Sequence, residues 1–261
     1  MTTTPLPTRV DAGELERKVK EMYTQVATHP EGQFHFEMGR AMAARLGYTG
    51  AELDSAPAEA VQSFAGVGYY FDLAALQTGE HVVDLGSGSG MDSFIAARKV
   101  GQRGYVTGID MTDAQLAKAE RLGQERAFDA VRFRKAFIDA TGLPGASCDA
   151  VISNGVINLS PDKPAVFREA ARLLRPGGRL AIADIVTDVQ LPEHVSCNAT
   201  LWAACIGGAM QIDAFAGMIE QAGLTVTAMK ANPEYHFLSK SAQGATRTYG
   251  VRSVSLLAVN H

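Results

Sequence analysis

The segment DLGSGSG, residues 84 to 90, stands between a run of apolar residues and a helical pattern. Its glycines allow a tight turn and let the backbone N–H groups of Gly86, Ser87 and Gly88 approach a ligand closely. The dinucleotide-binding spacing G-x-G-x-x-G, counted from Gly86 and Gly88, requires glycine at 91, and this chain has Met91. The G-x-G-x-G spacing suits a smaller ligand, with no pyrophosphate to seat at the helix N-terminus. Asp110 ends the next strand-like run, where a carboxylate accepts hydrogen bonds from both hydroxyls of a ribose. Its competing role is to cap the helix that opens near Thr112 and Asp113. Farther along, AFID (136 to 139) offers the N–H of Ile138 and the carboxylate of Asp139 to an adenine edge, the alternative for Asp139 being a solvated turn.

Other residues carry weaker signals. His35, Glu37 and His236 are candidate bases for an O–H, N–H or activated C–H, although surface or structural duty is the commoner use of such groups. Phe34, Phe36, Phe64, Tyr69, Tyr70, Phe71 and Trp202 are positioned either to wall an apolar pocket or to pack a core. The three cysteines, Cys148, Cys197 and Cys205, have no C-x-x-C spacing and no neighbouring His pair, so neither a zinc site nor a disulfide framework is expected. No metal is expected, and a reducing cytoplasm is the natural setting. Net charge is -4, and the basic run Lys163, Arg168, Arg172, Arg175 falls at helical intervals, which reads as a solvated helix face and not a nucleic-acid surface. The first twenty residues lack the apolar core of a signal peptide, and no stretch reaches the roughly 18 apolar residues needed to span a bilayer, so a soluble protein with no membrane partner is expected.

These residues need elements to hold them. With 46% hydrophobic content, the 261 residues are enough for one large α/β domain with an appendage. Residues 1 to 75 show helical periodicity with breaks (Glu14 to Val26, Glu37 to Leu46) and no strand signal, so they read as a helical cap. From residue 76 to 261 strand and helix alternate, the pattern of a parallel sheet covered on both faces. Expected strands are 81 to 85, 105 to 110, 131 to 136, 149 to 154 and 179 to 186, the last preceded by the turn signal PGG at 176 to 178. A helix over 213 to 222 and strands over 224 to 231 and 251 to 260 follow, and residues 188 to 212 read as an insertion that caps a substrate.

DLGSGSG, GIDMT (108 to 112) and NLSPDKPAVFREAARLLRPGGRLAIADIV (158 to 186) together resemble class I S-adenosylmethionine-dependent methyltransferases, and particularly their arsenite methyltransferase branch. The resemblance runs from about Leu46 to Leu224 and includes LGYTGAELDSAPAEAV (46 to 61). It implies a Rossmann-like, seven-stranded sheet in which an antiparallel last strand, 251 to 260, inserts beside the fifth. It implies S-adenosyl-L-methionine as cofactor, with its methionine part near Asp84, Gly86, Ser153 and Asn154, Met111 against the adenine, and Tyr23 closing over it from the N-terminal helix. The three arsenic-binding cysteines of that branch match Val67, Gly155 and Cys205, so a single thiol remains for a metalloid that is held by chelation. A small organic acceptor, with Val67, Tyr69, Gly155, Trp202 and Cys205 around it, is therefore expected over arsenite. A cofactor-binding protein without turnover and a residual arsenite or thiol S-methyltransferase are the alternatives. Acceptor atom, need for a base and oligomeric state are not legible.

Overall fold

The computed structural model describes residues 10–196, 202, 207–238 and 240–261. Five helices come first: α1 (Ala12–Thr28), α2 (Gly39–Leu46), α3 (Gly50–Ser55), α4 (Ala58–Gln62) and α5 (Phe71–Ala74). Local chemistry sets their starts. The Asp11 side chain accepts from the Glu14 N–H at 2.8 Å, and Thr49 with Glu52 forms a reciprocal capping box. α1 is polar outside and apolar within, burying Leu15, Val19, Val26 and Ala27.

The sheet then builds from β1 (His81–Leu85), β2 (Tyr105–Asp110), β3 (Val131–Lys135), β4 (Cys148–Asn154), β5 (Leu174–Thr187), β6 (Met210–Gln211), β7 (Leu224–Ala231) and β8 (Arg252–Asn260). Its order is β3-β2-β1-β4-β5-β8-β7, with β6 paired to the end of β5. β1 to β5 run parallel, and β8 lies antiparallel between β5 and β7 (Ile182 opposite Leu256, Leu257 opposite Ala228). The antiparallel last strand lies beside the fifth in a seven-stranded sheet, as expected, with the two-residue β6 as an addition. β1 and β4 are near-continuous apolar runs because helices cover both faces of the sheet centre.

Helices α6 (Met91–Val100), α7 (Asp113–Glu125) and α8 (Lys163–Leu173) connect the strands, followed by α9 (Ile212–Gln221) and α10 (Lys240–Tyr249). Leu15, Met42, Tyr70, Phe94 and Ile152 belong to one buried cluster, so the N-terminal helices share a core with one face of the sheet. On the other face Phe167 of α8 meets Phe215 of α9 edge-on, with ring centroids 5.3 Å apart. Among the described residues, no helix is long and apolar enough to cross a membrane.

Candidate active site

Strand order creates a crevice where β1 and β4 part, and chain direction puts the carboxyl ends of β1, β2 and β4 on its rim. A cavity of about 350 Å³ lies there, walled on the sheet side by Asp84, Gly86, Ser87, Gly88, Asp110, Met111, Ile138, Asp139 and Asn154. α1 covers it with Leu15, Val19 and Tyr23, and Phe64, Gly155 and Leu159 close the far end. The covering helix is tied down from α7, since the Gln115 side chain donates to the Tyr23 carbonyl at 2.9 Å and accepts from the Ser89 hydroxyl.

The glycine loop is shaped for close approach. Gly86 sits at φ +76, where a Cβ would stand 2.5 Å from Val156, and Gly90, at φ +92, is the residue from which α6 starts. Ser87 Oγ is buried without a hydrogen-bond partner among the described residues. Asp110 accepts from the Gly88 N–H at 2.9 Å and the Thr112 N–H at 2.8 Å. Thr112, not Asp110, is the residue that precedes α7, so the helix-cap role is excluded for Asp110, which lines the cavity.

Three carboxylates meet in this space. Among the described residues only the Ser93 hydroxyl donates to the buried Asp84, at 2.6 Å, and burial followed by the charge of Asp92 pushes its carboxyl up to about 8. Asp92, in the first turn of α6, accepts from the hydroxyls of Tyr48 (2.8 Å) and Tyr70 (2.7 Å) and from the Asn154 amide (3.1 Å). Burial nevertheless raises the Asp92 carboxyl, as it does that of Asp110. The same Asn154 amide accepts from the Val67 N–H at 2.7 Å and donates to the Gly68 carbonyl at 3.0 Å, fastening the loop ahead of α5 to the end of β4. Among the described lining residues there is no Lys, Arg or His, so the cavity is acidic at its sheet end and apolar beyond.

Of the residues expected around a cofactor, Tyr23, Asp84, Gly86, Ser87, Gly88, Asp110, Met111, Ile138, Asp139 and Asn154 all line this one cavity. Ser153 does not: strand alternation turns it away, and its hydroxyl donates to the Leu85 carbonyl at 2.8 Å. The expected acceptor residues are mostly displaced. Gly155 lines the cavity, but Val67 is 1% exposed behind the wall, the Tyr69 hydroxyl donates to Glu52 at 2.9 Å, and Trp202 is buried against Lys163. Cys205 and Cys197 lie outside the described residues. Val67 and Gly155 are neighbours, a Cβ on Gly155 standing 3.2 Å from Val67 Cγ1.

The candidate bases are elsewhere. Glu37 pairs with Arg45, His35 packs edge-on to Phe36, and His236 is exposed on the segment after β7. Of the aromatic residues, only Phe64 and Tyr23 reach the cavity from the N-terminal helices and loops. Asp92 and Gln115 carried no recognisable sequence signal, because their partners Tyr48, Tyr70 and Tyr23 lie far off in the chain.

The strand order, the glycine loop and the acidic crevice define a class I methyltransferase fold with a cofactor-sized cavity. Residues 76–223 match the family described as "Methyltransferase domain", and the chain belongs to that family, as a class I S-adenosylmethionine-dependent member near the arsenite methyltransferase branch. It is 34% identical over 227 residues to an arsenite methyltransferase of Halobacterium salinarum, which covers 82% of this chain and 58% of that protein. The chain thus spans little more than half the length of that relative. A crystal structure of an arsenic(III) S-adenosylmethionine methyltransferase from Chlamydomonas reinhardtii superposes with a TM-score of 0.64 at 30% identity, over 85% of this chain and 74% of that one. Nocamycin O-methyltransferase of Saccharothrix syringae is 34% identical over 122 residues, 47% of this chain and 44% of that protein.

Proposed function

We propose that this chain transfers the methyl group of S-adenosylmethionine to a small organic acceptor and not to arsenite. The observation that carries the reading is one cavity with an acidic end and an apolar end, and no thiol among its described lining residues. The residues present fit the cofactor. Asp92, and Asp84 once a bound cation draws off its proton, offer negative charge to a cationic amino acid end, and the glycine loop leaves room for close approach. The Asp110 carboxylate and the Ser87 hydroxyl, unpaired among the described residues, stand ready for polar groups of a nucleoside, and Met111 and Ile138 offer apolar walls for its base. S-adenosylmethionine supplies a methyl group on a sulfonium, displaced in line by the acceptor's nucleophile.

The chain's own part is to orient and to exclude water. α1, held through Gln115, covers the cavity, and the Asn154 amide fixes the loop that adjoins the acceptor end. No imidazole stands among the described lining residues, so an acceptor that needs a base would have to use one of the lining carboxylates. Val67 and Gly155, at positions matched to thiol ligands, provide no sulfur for a metalloid. The O-methyltransferase among the relatives supports an organic acceptor; the arsenite methyltransferases support the rival.

The test is a screen of phenolic, enolic and thiol acceptors for S-adenosylhomocysteine formation, run beside arsenite with a reductant. Turnover with an organic acceptor and none with arsenite is expected. Enzyme-dependent methylarsenite would overturn the acceptor assignment, and cofactor binding without turnover of any acceptor would favour a binding protein.

A further inference from the structure

Lys163 does not behave as the solvated helix face that its spacing suggests. It is the first residue of α8, the end where the helix dipole disfavours a cation, and it is only 4% exposed. Burial pushes its ammonium down to about 7, against the attraction of Asp184. Among the described residues no carboxylate touches it. The Asp184 oxygens are taken by the backbone N–H groups of Ile157, Asn158 and Ile185 at 3.0, 3.2 and 2.7 Å. A buried charge without a contacting counter-ion is costly, so its partners must be worth keeping.

Those partners belong to two different elements. Lys163 Nζ donates to the carbonyl oxygens of Asn158 (3.3 Å) and Ser160 (3.1 Å), the residues flanking Leu159, and Leu159, Ser160 and Pro161 form the wall at the apolar end of the cavity. The same ammonium lies 4.2 Å from the ring centroid of Trp202, whose indole N–H donates to the Ser196 carbonyl. Gly207 and Gly208 press on that ring, and a Cβ on Gly208 would stand 2.0 Å from the Asn158 carbonyl oxygen.

We propose that Lys163 is a positioning residue for the acceptor: its buried ammonium, hydrogen-bonded to the 158–160 turn and seated on Trp202, locks the acceptor-side wall of the cavity to the segment after β5. The assignment rests on reading the cavity as a methyltransferase site. Lys163 does not line the cavity, so its influence passes through Leu159, Ser160 and Pro161. If the lysine were mere filling, an uncharged residue of similar length would serve as well, since buried charges are often replaced without loss of stability.

Trp202 is the single tryptophan of the chain, so its emission reports on this contact alone. The experiment compares wild type, Lys163→Met and Lys163→Arg as full chains, by acrylamide quenching of Trp202, hydrogen exchange of peptides covering 157–161, and calorimetry with S-adenosylhomocysteine. In Lys163→Met we expect quenching to rise about two-fold and exchange over 157–161 about thirty-fold, the size of a desolvated cation–π contact, with S-adenosylhomocysteine affinity held within about two-fold. Lys163→Arg, which keeps a cation for the ring, should restore both toward wild type. On an acceptor found in the screen, Lys163→Met should raise the acceptor KM about ten-fold and leave the cofactor KM unchanged. Wild-type quenching and exchange in Lys163→Met would overturn the proposal. If that variant does not fold, Lys163→Gln is judged by the same two measurements. Failure of the wild-type chain to bind S-adenosylhomocysteine would sink the cofactor reading instead, and the Trp202 measurements would still decide the lysine.

Discussion

In the proposed cofactor site, Asp84 should make binding depend on pH. Burial and then Asp92 push its carboxyl up to about 8, whereas an unfolded aspartate ionises near 3.9. Between about pH 4 and pH 8 the folded chain holds a proton that the unfolded chain has lost, so stability falls as pH rises, by at most about 1.4 kcal/mol per pH unit. The contribution is fully present below that window and fully lost above it. A cation in the cavity favours the ionised carboxylate, so binding S-adenosylmethionine below pH 8 expels the proton. Affinity should therefore improve by up to about ten-fold per pH unit from pH 6 to pH 8 and level off above. The assay is calorimetry from pH 6 to pH 9 in buffers of different ionisation enthalpy, on wild type and Asp84→Asn. We expect up to one proton released at pH 6 by the wild type and a much flatter profile in Asp84→Asn, where the remaining slope belongs to Asp92 and Asp110. A wild-type affinity independent of pH, or an Asp84→Asn profile as steep as wild type, would refute the reasoning.

Asp110→Ala removes at least one charge-assisted bond worth roughly 1.5 to 3 kcal/mol, so calorimetry should show cofactor affinity weakened by at least about 10- to 150-fold; unchanged affinity would mean that Asp110 serves only Gly88 and Thr112. Gly155→Cys places a side chain at φ +73 beside Val67, a cost of about 1 to 2 kcal/mol, and should lower the melting temperature by roughly 2 to 8 °C; an unshifted transition would mean that the backbone there relaxes freely.

Much of the sheet could be read directly because its signals are local. HVVDL and YVTGID are strands as expected, and DLGSGSG has the tight backbone its glycines announce. α10 escaped notice because KSAQGATRTY is polar overall and carries a glycine, so few large apolar residues mark its buried face. Within β4, the motif alone could not separate Ser153 from Asn154. Strand alternation sends one to the Leu85 carbonyl and the other into the cavity. The acceptor side was least legible. Which face Tyr69 or Trp202 presents depends on Glu52 and Lys163, partners that spacing along the chain does not reveal. Lys163 itself shows the limit of periodicity, since a cation at a helical interval was read as solvated and is buried.

Thermal unfolding with added ligand tests most directly whether the acidic cavity holds S-adenosylmethionine. A ligand at 100 times its Kd stabilises the folded state by about 2.7 kcal/mol, so S-adenosylmethionine and S-adenosylhomocysteine should each raise the melting temperature by several degrees. NAD and NADP, whose pyrophosphate would face Asp84, Asp92 and Asp110, should leave it unchanged. A shift with NAD as large as that with S-adenosylmethionine, or no shift with either, would contradict the account.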